Sequence, residues 1–257
     1  MDNRPIGVFD SGVGGLTVVS ELMRVLPNED IIYFGDTARV PYGNKSVETI
    51  RRYSSEIVEF LLGKNVKMII IACGTVSTTS VDYLTEHFSI PFLEMAQPGV
   101  EDLLKVTRNN IVGVIGTEAT IRSGVHKRLL HSFRPEVSVF TKACPLFVPL
   151  VEEGLTNNDL SRMVASHYLK EMFDKKIDSL LLACTHYPLL TESIMAAAAD
   201  IPLTLVNPAL SVAIKAKIAL EQNGLQAKSQ SPLYKFFISD ETPMFEKMCE
   251  LALGVVL

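Results

Sequence analysis

Short apolar runs alternate with longer amphipathic stretches along this 257-residue chain, and that alternation restricts the fold more than any other feature. Residues 6–9, 31–34 and 68–72 are almost wholly apolar and rich in isoleucine and valine, as expected of strands buried on both faces. Residues 46–62 instead place apolar side chains at helical spacing. The pattern predicts an α/β fold of parallel sheets with helices on both faces.

Four strand-like blocks of the first half recur in the same order in the second half. The paired blocks are residues 6–11 with 112–117, 30–34 with 136–140, 68–73 with 179–184, and 90–92 with 201–203. The offset between partners is 106 for the first two pairs and 111 for the last two, which is too regular for chance. We therefore expect an internal duplication that forms two similar α/β lobes related by a pseudo-twofold axis.

The block boundaries also predict which residues belong to each lobe. We place residues 1–97 together with 207–257 in the first lobe and residues 98–206 in the second. After the duplicated part, the pattern predicts a helix over 213–222, a polar connector over 226–231, a strand over 234–239 and a helix over 244–253. This last segment should pack on the first lobe, because the connector between the lobes is short.

Composition narrows the range of functions. The chain has 24 Lys and Arg against 29 Asp and Glu, a net charge of −5, which disfavours nucleic acid and anionic membranes as main partners. The sequence shows no apolar run of membrane-spanning length and no signal-peptide pattern, so it predicts a cytoplasmic protein. None of the four cysteines forms a C-x-x-C pair, and we expect all of them to be free thiols.

Candidate chemistry lies where the predicted parallel strands end, because ligands bind beyond the carboxyl ends of such strands. The duplication puts Cys73 and Cys184 at equivalent strand ends, so we expect their thiols to face each other across an active site in the cleft between the lobes. Two other interpretations stay open. The glycine-rich run 12–15 with Asp36 suggests dinucleotide binding, although its spacing departs from G-x-G-x-x-G. Cys73, Cys184 and His186 suggest a zinc site, at a spacing unusual for zinc ligands.

Five stretches of the chain resemble the cofactor-independent glutamate racemases of the aspartate/glutamate racemase superfamily. They are GVFDSGVGGLTV (residues 7–18), GDTARVPYG (35–43), IGT (115–117) with Thr120 and Ser123, VPLVEEG (148–154) and CTHYPLL (184–190). The resemblance implies an isomerase that interconverts L- and D-glutamate without metal or organic cofactor and supplies D-glutamate for peptidoglycan synthesis. It implies glutamate as the small-molecule partner and is compatible with a homodimer.

The same resemblance implies which residues form the site. Cys73 and Cys184 are the two acid/base thiols, and Asp10, Glu152 and His186 assist them. The residues implied in substrate binding are Asp10, Ser11, Pro41, Tyr42, Gly43, Thr75, Thr117, Thr120, Thr185 and His186.

Two segments depart from the family pattern. Gly74 stands where the family carries an asparagine after the first cysteine, and residues 94–99 differ from the usual Glu-Pro-Gly ending. The asparagine side chain binds substrate in the family, so that role does not transfer to Gly74. Two alternative functions therefore remain: a binding or regulatory protein with impaired turnover, and a racemase for aspartate or another amino acid.

Overall fold

The computed structural model describes residues 1–229, 231–241 and 243–254. The chain divides into two compact units, unit 1 being Met1–Met95 with Ala209–Leu257 and unit 2 being Ala96–Pro208. Both divisions fall two residues from the lobe boundaries predicted from the sequence. Gln230 of the predicted polar connector and the last residues, 255–257, lie outside the described residues.

Strands and helices alternate through both units. The first part of unit 1 contains β1 (Ile6–Asp10), α1 (Leu16–Val25), β2 (Ile31–Gly35), α2 (Val47–Gly63), β3 (Met68–Ile71), α3 (Gly74–Thr79), α4 (Val81–His87) and β4 (Phe92–Glu94). Unit 2 contains α5 (Ala96–Val106), β5 (Ile111–Gly116), α6 (Glu118–Ser123), α7 (Val125–Phe133), β6 (Ser138–Ala143), α8 (Phe147–Glu152), α9 (Asp159–Asp174), β7 (Ser179–Leu182), α10 (Thr191–Ala198) and β8 (Thr204–Val206). The chain then returns to unit 1 with α11 (Ala209–Gln222), β9 (Tyr234–Ile238) and α12 (Pro243–Leu253).

Each unit is built on one parallel sheet. The strand order is β4-β3-β1-β2-β9 in unit 1 and, taken in the corresponding direction, β8-β7-β5-β6 in unit 2. All described strand pairs are parallel. Strands β1, β3 and β7 are buried at every residue, which explains why they are apolar on both faces. The predicted α/β class with two similar parallel-sheet lobes is confirmed.

The strand registers test the predicted duplication residue by residue. Ile6 pairs with Met68 in unit 1, and Val112 pairs with Ser179 in unit 2, which confirms the offsets of 106 for β1 and 111 for β3. The second strand is different. Ile6 pairs with Ile31, and Val112 pairs with Val139, whereas the sequence alignment equated Ile31 with residue 137. That part of the alignment was wrong by two residues.

The outer strand shows the same displacement. Phe92 of β4 pairs with Ile69, and the corresponding pair in unit 2 joins Leu205 to Leu180, not residue 203 to Leu180. A shift of two residues leaves every side chain on the same face of the strand, because side chains alternate with period two. Apolar patterning alone therefore does not distinguish these registers.

The non-duplicated segment completes unit 1. Helix α11 begins at Ala209, four residues before the predicted helix at 213, and β9 and α12 lie within a residue of the predicted strand and helix. Strand β9 pairs with β2, so this segment contributes a strand to the sheet of unit 1. In the described part of the chain, no helix combines the length and apolarity that crossing a bilayer requires.

Candidate active site

The first predicted thiol lies just beyond the central strands of unit 1. Ile71, the last residue of β3, pairs with Phe9 of β1, and Cys73 follows two residues later at the start of α3. Cys73 is buried, and its Sγ donates a hydrogen bond to Ser11 Oγ over 3.4 Å. The structure therefore brings together Cys73 and Ser11, which the sequence placed in one site.

The glycine-rich run after β1 holds the Asp10 carboxylate in place. Asp10 is fully buried and accepts a hydrogen bond from the Gly15 backbone N–H at 3.0 Å. A Cβ on Gly15 would lie 2.6 Å from the Asp10 Cβ, and one on Gly35 would lie 2.6 Å from the carbonyl oxygen of Gly12. Close packing thus requires glycine at both positions, so Gly15 of the run has a structural reason that does not involve a dinucleotide.

Tyr42 lies in a loop of two short 3-10 turns, Thr37–Arg39 and Tyr42–Asn44. Its ring is buried and its hydroxyl donates to the Asp36 carboxylate, while Pro41 is exposed and Gly43 is buried. Burial, followed by the hydrogen bond to Asp36, raises the pKa of Tyr42 well above its usual range. Tyr42 is therefore a neutral phenol, and it lies within electrostatic range of Cys73.

The second predicted thiol lies at the matching place in unit 2. Leu182, the last residue of β7, pairs with Ile115 of β5, and Cys184 follows two residues later. The partly exposed Sγ of Cys184 lies 4.0 Å from His186 Nδ1, and His186 Nε2 lies 2.6 Å from Glu152 Oε1. The three side chains form a carboxylate–imidazole–thiol series.

The neighbours of His186 favour the cationic form of its ring. Burial lowers its pKa, but hydrogen bonds with Cys184 and Glu152 outweigh burial and raise the pKa to about 10. In the cationic ring both nitrogens are donors, so Nε2–H points to Glu152 and Nδ1–H points to Cys184. A cation beside the sulfur stabilises a thiolate, which is the basic form of cysteine.

The remaining predicted binding residues also lie near strand ends within their own units. Thr117 follows β5 and begins α6, where its Oγ1 accepts from the Thr120 backbone N–H at 3.3 Å and lies 3.0 Å from the Thr120 hydroxyl. Thr185, which lies between Cys184 and His186 in the sequence, is buried. Thr75 is buried in the first turn of α3. These hydroxyls can bind carboxylate groups of a small ligand.

The duplication makes the chemical differences between the units explicit. The register equates Cys73 with Cys184, and it therefore equates Thr75 with His186. The thiol of unit 1 contacts a hydroxyl, whereas the thiol of unit 2 contacts the imidazole ring of His186. The two thiols thus have the same backbone positions but unequal partners.

Comparison with known proteins decides the family. The sequence model of the Asp/Glu/Hydantoin racemase family matches residues 6–214 of the chain. A glutamate racemase of Geobacter metallireducens is 44% identical over 252 residues, which cover 98% of this chain and 93% of the relative. The chain belongs to the glutamate racemases of the Asp/Glu/Hydantoin racemase family.

Solved racemase structures agree with this assignment. Glutamate racemase from Francisella tularensis in complex with D-glutamate has a TM-score of 0.93 and 41% identity, covering 100% of this chain and 96% of that one. Escherichia coli glutamate racemase in complex with L-glutamate and the activator UDP-MurNAc-Ala has a TM-score of 0.80 and 28% identity, covering 98% and 94%. An aspartate racemase homologue from Pyrococcus horikoshii, with a TM-score of 0.59 and 15% identity, shares the fold alone and covers 85% and 99%.

Sequence reasoning about this racemase missed the role of Asp36 in the fold. It considered Asp36 as a strand-end residue and as a ribose ligand in a dinucleotide site, but it did not predict that the carboxylate accepts hydrogen bonds from Tyr42, Arg39 and Ser239. Ser239 is 203 positions away in the chain, so no local pattern could have indicated that contact. In the described part of the chain, no group of three or more His, Cys, Asp and Glu side chains is arranged to hold a metal ion.

Proposed function

We propose that this chain interconverts L- and D-glutamate by proton transfer through two thiols, Cys73 acting on one face of the substrate and Cys184 on the other. One observation carries the proposal: the two cysteines occupy equivalent positions, each two residues past an equivalent parallel strand. The nearly full-length likeness to glutamate racemases favours glutamate over aspartate, because the aspartate racemase homologue shares only the fold.

The reaction exchanges a proton at Cα between the two faces of the substrate. The Cys184 thiolate removes the Cα proton of L-glutamate, and the electron pair of the broken C–H bond stays on Cα. The Cys73 thiol then delivers its proton to the opposite face, which gives D-glutamate and leaves Cys73 as the thiolate. The reverse reaction uses the same groups in exchanged roles, and we expect it to need neither metal nor organic cofactor.

Neighbouring groups make each thiol fit for both roles. The imidazolium of His186, held by Glu152, stabilises the thiolate of Cys184 and can exchange a proton with it. Asp10 and Ser11 assist Cys73, whose sulfur donates to the Ser11 hydroxyl. Hydroxyl and backbone N–H groups bind the substrate carboxylates and the charge that develops at Cα. We assign that binding to Ser11, Tyr42, Gly43, Thr75, Thr117, Thr120 and Thr185. Asp10, His186 and Pro41, which has no N–H to donate, complete the proposed binding residues.

The setting of the reaction is part of the proposal. D-glutamate formed here would enter peptidoglycan synthesis, and we place the enzyme in the cytoplasm, where cysteines stay reduced. In agreement with that compartment, Cys73, Cys144, Cys184 and Cys249 are all free thiols. A homodimer stays a prediction, which sedimentation equilibrium tests directly.

Isotope labelling tests the two-thiol pathway. During early turnover of L-glutamate in D2O, deuterium should enter the D-glutamate formed and little should enter the recovered L-glutamate. The reason is that Cys184 can return the proton it removed before exchange with solvent, whereas Cys73 delivers a deuteron taken from solvent. Equal labelling of both enantiomers would show a single shared base instead.

Substitution of each thiol gives an independent test. Cys73→Ser and Cys184→Ser should each slow racemisation by about 10²–10⁴-fold, because both half-steps lie on the same path. Cys249→Ser, which changes a buried thiol of α12, is the matched control and should keep its activity. Near-normal racemisation by either of the first two variants would refute the proposal.

A further inference from the structure

A fully buried carboxylate lies at the base of the Tyr42 loop, residues 36–44. Asp36 Oδ2 accepts from the Tyr42 hydroxyl and from Arg39 Nε at 2.7 Å, and Asp36 Oδ1 accepts from Ser239 Oγ at 2.8 Å. A carboxylate is stable away from water only when such donors satisfy it. Asp36 is thus the common acceptor for the loop and for the end of β9.

Arg39 extends this contact to helix α2. Its Nε binds Asp36, its Nη1 binds the Glu56 carboxylate, and its guanidinium carbon lies 4.1 Å from the centre of the Tyr53 ring. The Tyr53 ring in turn lies 5.7 Å from the Tyr42 ring. One side of the Tyr42 loop is therefore fastened to α2 by charge and by ring contacts.

The other side of the loop is fastened to the end of β9. Thr37 Oγ1 accepts from the Asp240 backbone N–H at 2.9 Å and donates to the Asp240 carbonyl at 2.5 Å. Ser239 Oγ accepts from the Ala38 backbone N–H at 2.9 Å while it donates to Asp36. The polar groups at the start of the loop are thus satisfied by residues from the far end of the chain.

The duplication shows that this arrangement belongs to unit 1. The Asp36 backbone N–H binds the carbonyl oxygen of Asp10, and at the equivalent place the Cys144 backbone N–H binds that of Gly116. Cys144 carries a thiol in place of a carboxylate and leads into α8. Strand β9 likewise has no counterpart beside β6 in the described part of unit 2. The carboxylate and the extra strand occur together, in the unit that carries the Tyr42 loop.

We infer that Asp36 is a positioning residue for substrate binding, and that the end of β9 acts through Ser239 to hold Asp36 and the Tyr42 loop in the binding-competent arrangement. The non-duplicated segment then has a function beyond closing the sheet, because it sets the geometry of Tyr42 and Gly43. The inference rests on the proposed function, since those two residues matter for affinity only if the loop binds glutamate.

Steady-state kinetics of Asp36→Asn and Ser239→Ala test the inference. Asp36→Asn keeps the shape of the side chain but removes its charge, and it should raise the KM for both enantiomers by about 10-fold with kcat little changed. Ser239→Ala should act in the same direction with a smaller effect. The matched control is Ser231→Ala, an exposed serine of the same segment, which should leave KM unchanged.

The split between KM and kcat separates positioning from mere stability. A variant that is only less stable has fewer active molecules, so its kcat falls at constant KM, and that result would overturn the inference. An unchanged KM in Asp36→Asn together with an active unsubstituted enzyme would overturn it as well. If Asp36→Asn does not fold, Ser239→Ala and Thr37→Val carry the same test with smaller perturbations.

Hydrogen–deuterium exchange supplies a readout that needs no turnover. Amides of residues 37–45 should exchange faster in Asp36→Asn and Ser239→Ala than in the unsubstituted protein, with β1 and β3 unaffected. If residues 37–45 exchange faster in the variants but the unsubstituted protein has no racemase activity, the proposed function is refuted. The inference that Asp36 and Ser239 hold the Tyr42 loop would then still be supported. Unchanged exchange in both variants would refute the inference that Asp36 and Ser239 hold the Tyr42 loop in place.

Discussion

Replacing Glu152 with glutamine isolates what the carboxylate does for His186. Glu152 accepts a hydrogen bond from the imidazolium at 2.6 Å, and His186 is almost wholly buried, so water screens that contact little. A hydrogen bond to a charged group contributes about 1.5–3 kcal/mol, which corresponds to roughly one to two pH units in a pKa. Because this contact helps to raise the pKa of His186 to about 10, Glu152→Gln should lower that pKa by roughly the same amount.

Nuclear magnetic resonance of the imidazole nitrogens measures this pKa directly. The chain has five histidines, and the spectrum of His186→Gln identifies the His186 signals. The unsubstituted ring should stay cationic to about pH 9, whereas the Glu152→Gln ring should lose its charge at lower pH. Glu153→Gln is the matched control, because Glu153 is the exposed neighbour at the end of α8.

Glu152→Gln should also lower kcat/KM, by the same factor for both enantiomers. A less stable imidazolium supports the Cys184 thiolate less well, so kcat/KM should fall by about 10-fold or more in Glu152→Gln. L- and D-glutamate have equal free energies in water, and the loss in kcat/KM must therefore be the same in both directions. An unchanged His186 titration, or a changed titration with unchanged kcat/KM, would refute this account of Glu152.

Three further predictions concern positions outside that series of side chains. Burial lowers the pKa of His126 from 6.5 to about 4, so between these pH values the unfolded chain binds a proton that the folded chain excludes. The free energy of unfolding should therefore fall by about 1.4 kcal/mol per pH unit as the pH drops from about 6.5 to about 4. His126→Leu should remove that part of the acid dependence, as urea unfolding at several pH values will show. Lys67→Met should lower the free energy of unfolding by about 3–5 kcal/mol, because it leaves Glu29 buried without its 2.5 Å ammonium partner. Glu29→Met/Lys67→Met should recover only part of that loss, since the carbonyls of Asp2 and Leu225 and the Ala227 N–H still lose their partners. Gly74→Asn should tighten glutamate binding by restoring a side-chain donor, and a lower kcat/KM in that variant would show that the site is adapted to glycine.

The two lobes could be predicted from the sequence because their buried strands are visible as apolar runs. Strands buried on both faces must be apolar throughout, so β1, β3, β5 and β7 are visible as runs and their repeat fixes the equivalence of the two cysteines. The sequence alignments that equated β2 with β6, and β4 with β8, were wrong by two residues. A shift of that size preserves the alternation of faces, so the apolar pattern does not reveal it. Hydrophobic patterning determines the face of a strand, but it does not determine its displacement by an even number of residues.

The contacts among the polar side chains were less accessible to sequence reasoning. Family resemblance implied that Glu152 and His186 assist Cys184, and no periodicity joins two residues 34 positions apart. Neither periodicity nor family resemblance indicated the contact between Asp36 and Ser239. Ser239 belongs to a segment without a repeat, and only the pairing of β9 with β2 brings it near Asp36. Contacts of this kind depend on the tertiary fold, so they require coordinates.

The chemistry of racemisation explains why equivalent positions in this duplicated chain have diverged. In the proposed mechanism, either thiol acts on a Cα whose other substituents, an amino group, an α-carboxylate and a longer carboxylate side chain, all differ from one another. Two identical sets of neighbouring groups would offer the same donors to unlike groups, so that mechanism requires some of the groups around the thiols to differ. The structure agrees with this requirement: Cys73 and Cys184 are retained, while Thr75 is matched by His186, and Asp36 by Cys144. Under the proposed function, duplication accounts for the pair of thiols, and divergence around them accounts for binding of an asymmetric substrate.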